Sequence, residues 1–181
     1  MNRIIQSISN GRQRADVFII ALQAGAIAII ANTSILAIAD SFGLVTARGG
    51  LLRLLIRWLV PLVIDSGHTA MATRLQNIAS EYIFQSGFHL VVGLVMAVLL
   101  VQCAHKRLET HAWSIGAAAA LIVWLMNASV ILPALGEGFA GEKCLTVLGI
   151  VYFALAHTVF FLIIALDARR RLRQSRDRAA T

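Results

Sequence analysis

The chain has 181 residues, 59% of them hydrophobic and only 14% charged, against about half apolar and a quarter charged in a soluble domain. The apolar excess lies in long runs, the signature of membrane spans, and the length leaves room for one compact membrane domain and no second. The formal charge of +7 does not point to nucleic acid, because the basic residues flank the apolar runs, where the positive-inside rule puts them and where they attract anionic lipid.

The predicted fold is an all-α integral membrane protein. It has four transmembrane helices and an interfacial amphipathic helix between the first and second. Residues 1–16 form a basic cytoplasmic segment containing Arg3, Arg12 and Arg14. The first span covers residues 17–39, too long for the apolar stretch of a signal peptide, so it is expected to be retained. Ala21/Gly25 and Ala24/Ala28 stand in small-xxx-small spacing, which lets helix backbones approach in lipid. Gln23 and Asn32 interrupt the span. Each is expected to hydrogen-bond across helices, since an unpaired amide in hydrocarbon is costly.

Residues 41–87 form the interfacial region. Arg53 and Arg57 lie one turn apart on one face, surrounded by leucines, with Trp58 beside them and Pro61 interrupting. Two arginines near the middle of a short apolar stretch disfavour a crossing, each costing about 2.5–3.5 kcal/mol there. An interfacial helix with snorkelling arginines and Trp58 at headgroup level fits better than a re-entrant or tilted span. Asp65-Ser66-Gly67 reads as a turn with helix N-cap character. An amphipathic helix from Thr69 then runs into the second span with a bend at Gly87.

The second span covers 88–104, where Gly93 and Ala97 form another small-residue pair on the face that carries His89. A basic loop, 105–110, leads to the third span at 112–135. Trp113 marks a membrane boundary, Gly116–Ala120 is a packing seam and Pro133 lies near the far end. Gly136–Lys143 connects to the fourth span at 144–166, and a basic tail, 169–181, follows as a solvated and partly disordered segment. The N-terminus, the 105–111 loop and the tail hold eleven of the 16 lysines and arginines. Four spans with both termini cytoplasmic satisfy that bias. Cys103 and Cys144 then sit at opposite faces and do not pair with each other.

The intramembrane polar candidates are His157, Asn127, Asn32 and His89. His157, near the middle of the fourth span, is a functional hypothesis by default. The favoured reading is a structural histidine hydrogen-bonded to a neighbouring helix, at Asn127 or Asn32. At 1.5 Å per residue, His89 and His157 differ in depth by about 9 Å even if the second helix starts at Tyr82. That offset disfavours a haem held by both. Lys106 and Lys143 lie at span ends, so no retinal Schiff base is possible. Phosphate-binding glycine loops, paired intramembrane carboxylates, nucleophile elbows and zinc-ligand spacings are missing, so neither enzyme activity nor a cofactor nor a metal is expected.

Phe88-His89 opening a span with Gly93 and Ala97, a third span ending Pro133-Ala134-Leu135-Gly136, and His157 before Arg169-Arg170-Arg171 together resemble the YagU-like bacterial inner-membrane proteins over roughly the last half of the chain. The acidic residue that this family carries before its histidine is absent, since Tyr152 to Ala156 precede His157. The resemblance implies a multi-span inner-membrane fold and no reaction. The functional expectation is a non-catalytic accessory or structural subunit of a larger membrane complex, partnered by the bilayer and by other membrane subunits or copies of itself. The alternatives are a small transporter or proton-linked channel using His157, and a cofactor-binding redox subunit.

Overall fold

The computed structural model describes residues 2–47 and 49–180, with side chains at 15–47 and 49–178. The side chains of Arg3, Arg12, Arg14 and Arg48 lie outside the described residues. All regular structure among the described residues is helical. Three helices there are long and apolar enough to cross a membrane: Ala15–Ser41, Tyr82–Ala134 and Val147–Arg178. The expected second and third spans therefore fall within one 53-residue element.

The first helix, α1 (Asn2–Ser41), runs without a break through the expected surface segment and the first span. It ends at Gly43, whose φ of 69° is open to glycine at no steric cost. There the Gly43 N–H bonds Asp40 O at 3.0 Å and the Leu44 N–H bonds Ala39 O at 3.0 Å, satisfying carbonyls the helix end leaves orphaned. The small-residue stripe is buried as its spacing predicts: Ala21, Ala24 and Ala28 are fully covered.

Further helices are α2 (Gly50–Asp65), α3 (Thr69–Ser80), α4 (Tyr82–Met126), the short α5 (Leu132–Ala134) and α6 (Val147–Ala180). The chain divides into two compact units. One comprises Met1–Ser34, Gly93–Leu121 and His157–Thr181; the other comprises Ile35–Val92 and Ile122–Ala156.

In the first unit, glycines mark where helices touch. A Cβ on Gly25 would stand 2.7 Å from Ala97 Cβ. One on Gly93 would meet Ile29 Cγ1 at 2.8 Å and Phe160 Cζ at 3.5 Å. One on Gly116 would meet Phe161 O at 3.1 Å and Ala165 Cβ at 3.2 Å. Gly93 and Gly116 thus face nearly the same turn of α6, although a straight helix would hold them about 35 Å apart. The chain folds back between them at His111, where φ −124° and ψ 31° leave the helical region. The predicted 105–110 loop is accordingly one more turn and a half of helix before a sharp bend.

The tail differs from expectation. Helix α6 continues through it to Ala180. Arginine is a good helix former, and Asp167 bonds Arg171 one turn on, with Arg171 Nε 2.5 Å from Oδ2. Contacts from Arg173 and Arg176 to Glu109 hold the following turns.

In the second unit, α2 is a single helix that carries Pro61 in its interior and buries Leu52, Leu54 and Val60. Its start packs on the far end of the third apolar run: a Cβ on Gly50 would lie 3.6 Å from Ile131 Cγ2 and 3.7 Å from Leu132 Cδ2. Ala47, Leu132, Leu145 and Phe153 form a buried apolar cluster, with Trp124 and Ile150 against it. A Cβ on Gly149 would stand 2.5 Å from Val45 O, so only glycine lets this connecting backbone rest on α6.

The expected bend at Gly87 is replaced by a break at Glu81, whose ψ of 133° is extended. Gln85 Nε2 bonds both Ala79 O and Ser80 O at 3.3 Å, occupying carbonyls left open by the end of α3. Ser66 does not cap α3. Its hydroxyl bonds Val63 O and lies 3.1 Å from His68 Nδ1, and His68 occupies the N-cap position.

Asn127–Ile131 is a π-turn, with the Leu132 N–H bonded to Asn127 O. Pro133 accounts for it. A proline ring clashes with the carbonyl four residues earlier, here that of Ser129, and offers it no N–H. The extra residue of a π-turn re-aims that carbonyl.

Candidate functional site

Three polar sets stand out, each inside one unit. The first lies within the long apolar helices. Ile29, Gly93 and Phe160 meet at one level. On α1, Asn32 lies one turn beyond Ile29; on α6, His157 lies one turn before Phe160. The two helices run in opposite directions, because Gln23 on α1 bonds Arg171 on α6. Asn32 and His157 therefore share a level within the first unit. Asn32 is 8% exposed and His157 half-buried. Below His157, Phe160 and Phe161 pack edge to face with centroids 5.0 Å apart. Asn32, His89 and His157 each engage at least one neighbour.

Asn127 and His89 belong to the second unit. Asn127 Nδ2 donates to Val123 O at 2.9 Å, one turn back on its own helix. That bond gives the donor side of the expected Asn127 clasp an intrahelical partner. The next hydroxyl of the π-turn, Ser129 Oγ, likewise donates to Leu125 O at 2.5 Å.

The second set is a collar of charge where α6 passes the His111 bend. Arg173 Nη2 donates to Glu109 O at 2.9 Å, and Arg176 Nη2 donates to Glu109 Oε1 at 2.7 Å. Two residues before the break, Arg173 thus caps this carbonyl from another helix. Arg171 Nη1 donates to Gln23 Oε1 at 2.6 Å. Gln23 is thus the cross-helix clasp its place in an apolar run predicts. The bend itself carries Thr110 Oγ1 2.6 Å from His111 Nδ1. Trp113, two residues on, is 61% exposed.

The third set is the ion pair of Arg53 Nη1 with Glu137 Oε1, which joins α2 to the 136–143 connection. Arg53 thus has a protein partner besides the expected snorkelling position, while Arg57 and Trp58 are exposed on the same helix. Glu109 and Asp167, two of the acids that organise these sets, were not singled out by sequence pattern. Only the Asp167/Arg171 spacing could have revealed one of them.

Among the described residues, no three His, Cys, Asp or Glu side chains group as a metal site. The chain matches no protein-family model, and no curated protein or solved structure is significantly similar to it.

Proposed function

We propose that this is a four-span inner-membrane protein with both termini cytoplasmic, acting as a non-catalytic accessory subunit of a larger membrane complex. The carrying observation is the fold-back at His111. The Tyr82–Ala134 element would be about 80 Å long if straight, more than twice the roughly 30 Å hydrocarbon core. Its reversal supports counting it as two crossings, and an even number of spans agrees with the charge bias. Glycine and alanine seams support a role built on helix packing. So do the amphipathic faces of α2 and α3, which leave Trp58, Leu59, Leu62, Met71 and Ile78 exposed and suit a place at the membrane interface. The YagU-like pattern of the second half fits the same reading.

Cys103 and Cys144 are free and exposed, and they test the topology without added reporters. In sealed cells, a membrane-impermeant maleimide should label Cys144 in the Cys103→Ser variant and leave Cys103 unlabelled in the Cys144→Ser variant. Equal labelling of both sinks the four-span arrangement. Gentle detergent extraction and native mass spectrometry test the accessory role, which a chain running alone under all mild conditions contradicts.

The shared level of Asn32 and His157 favours a second reading, a small proton-linked transporter. Flux in liposomes that is unchanged in His157→Ala removes that residue from any such mechanism.

A further inference from the structure

The collar at the His111 bend has more cations than its acids can neutralise. Glu109 is taken by Arg173 and Arg176, and Asp167 by Arg171. Arg170, Lys106 and Arg107 are exposed at this end of the unit, and no described acid pairs with them. Arg169 is different. It is half-buried, and its Nε is a buried donor with no acceptor in the protein. Arg169 lies one turn beyond Ala165, the residue that faces Gly116, and one turn before Arg173, which reaches Glu109. It therefore faces the limb of α4 that leaves the bend. A buried charged donor without an acceptor is costly, and a ligand oxygen that meets the half-exposed side chain as it turns outward removes the cost.

A second observation says what kind of ligand. Gln23 on α1 stands level with Arg171. Because α1 and α6 are antiparallel, the residues just before Gln23 run alongside the arginine-bearing turns of α6. Those residues include Phe18 and Ile19, 44% and 51% exposed. Exposed apolar side chains and unneutralised arginines thus occupy one level of one unit. A headgroup-to-acyl boundary presents that pairing to a protein; bulk water does not.

We propose that this end of the unit binds the headgroup of a net-anionic phospholipid, with Arg169 donating to its phosphodiester and Lys106, Arg107 and Arg170 supplying the surrounding positive charge. The geometry asks for an anion joined to an apolar chain, which a free phosphate ion lacks. The proposal rests on the membrane reading above.

The test uses the full chain purified in a neutral detergent and offered phosphatidylglycerol or phosphatidylcholine at equal mole fraction. Native mass spectrometry reads the lipid retained, and the melting temperature reads the stabilisation. Wild type should retain phosphatidylglycerol in preference. Arg169→Gln should cut that preference about fivefold, the worth of roughly one basic residue at an anionic surface. Arg170→Gln, with the same loss of charge at an exposed site, should cut it less, and Arg169→Lys should keep most of it.

Equal retention of the two lipids by wild type overturns the proposal, whatever the variants do. So do equal effects of Arg169→Gln and Arg170→Gln. Inorganic phosphate is added in a separate arm without anionic lipid; an Arg169-dependent rise in melting temperature there would make the ligand a soluble anion and overturn the lipid assignment. A wild-type chain that sodium carbonate strips from membranes would instead defeat the membrane reading itself. A chain that resists carbonate but lacks lipid selectivity defeats only the present inference.

Discussion

Gly25→Ala should force α1 away from α4. The new methyl carbon would lie 2.7 Å from Ala97 Cβ, whereas carbon atoms pack best at about 3.5–4.0 Å. Ala97 has no rotamer to turn aside, and it is completely buried. Relief therefore requires the two backbones to part by about 1 Å, which loosens the contacts on either side of the seam. Overpacking of this kind costs about 1–3 kcal/mol. Alanine recovers up to about 1 kcal/mol of helix propensity over glycine, so the net single-variant effect is about 1 kcal/mol destabilising.

The sharper measurement is the cycle with Ala97→Gly. In the double variant the methyl group has only changed helices, the clash is gone and the propensity terms cancel. The pair should be more stable than the sum of the singles by about 1–3 kcal/mol. Reversible unfolding in mixed micelles, followed by near-ultraviolet circular dichroism, gives all four corners. Strict additivity would mean that these two residues do not touch, and the α1–α4 packing described above would be wrong.

Removing Arg173 with alanine should lower stability by about 1 kcal/mol through loss of the bond to Glu109 O. Amide exchange should then quicken around His111, and unchanged exchange there would contradict the cap. Arg53→Gln and Glu137→Gln should each cost no more than about 1 kcal/mol, since the Arg53 side chain is 49% exposed. A larger sign is faster proteolysis of α2, and the charge-swapped pair should restore part of the protection. Pro133→Ala should let the π-turn revert to regular helix, because the Ser129 carbonyl regains a donor. Amide chemical shifts at 127–132 that stay as in wild type would show that proline is not its cause.

Long apolar runs and the basic residues at their ends were legible because each depends on neighbours in sequence. A span must be about 20 apolar residues long, and a small-residue face repeats every turn. Ala21, Ala24, Gly25, Gly93, Ala97 and Gly116 could therefore be named as seam residues before their partners were known. The partners themselves were not legible. Arg53 and Glu137 are 84 positions apart, and Arg171 and Gln23 are 148 apart; no local period links residues so distant.

The helical tail escaped for a related reason. Its arginines read as solvated because the acids and the amide that hold them, Glu109, Asp167 and Gln23, come from three separate stretches. At Glu81 and the π-turn the backbone follows from local partners, the Gln85 side chain and the Pro133 ring, which the apolar periodicity does not register. Composition marks the chain as one suited to a bilayer because hydrocarbon selects for apolar length. The collar at His111, with its surplus of arginines, exists only where α1, α4 and α6 come together.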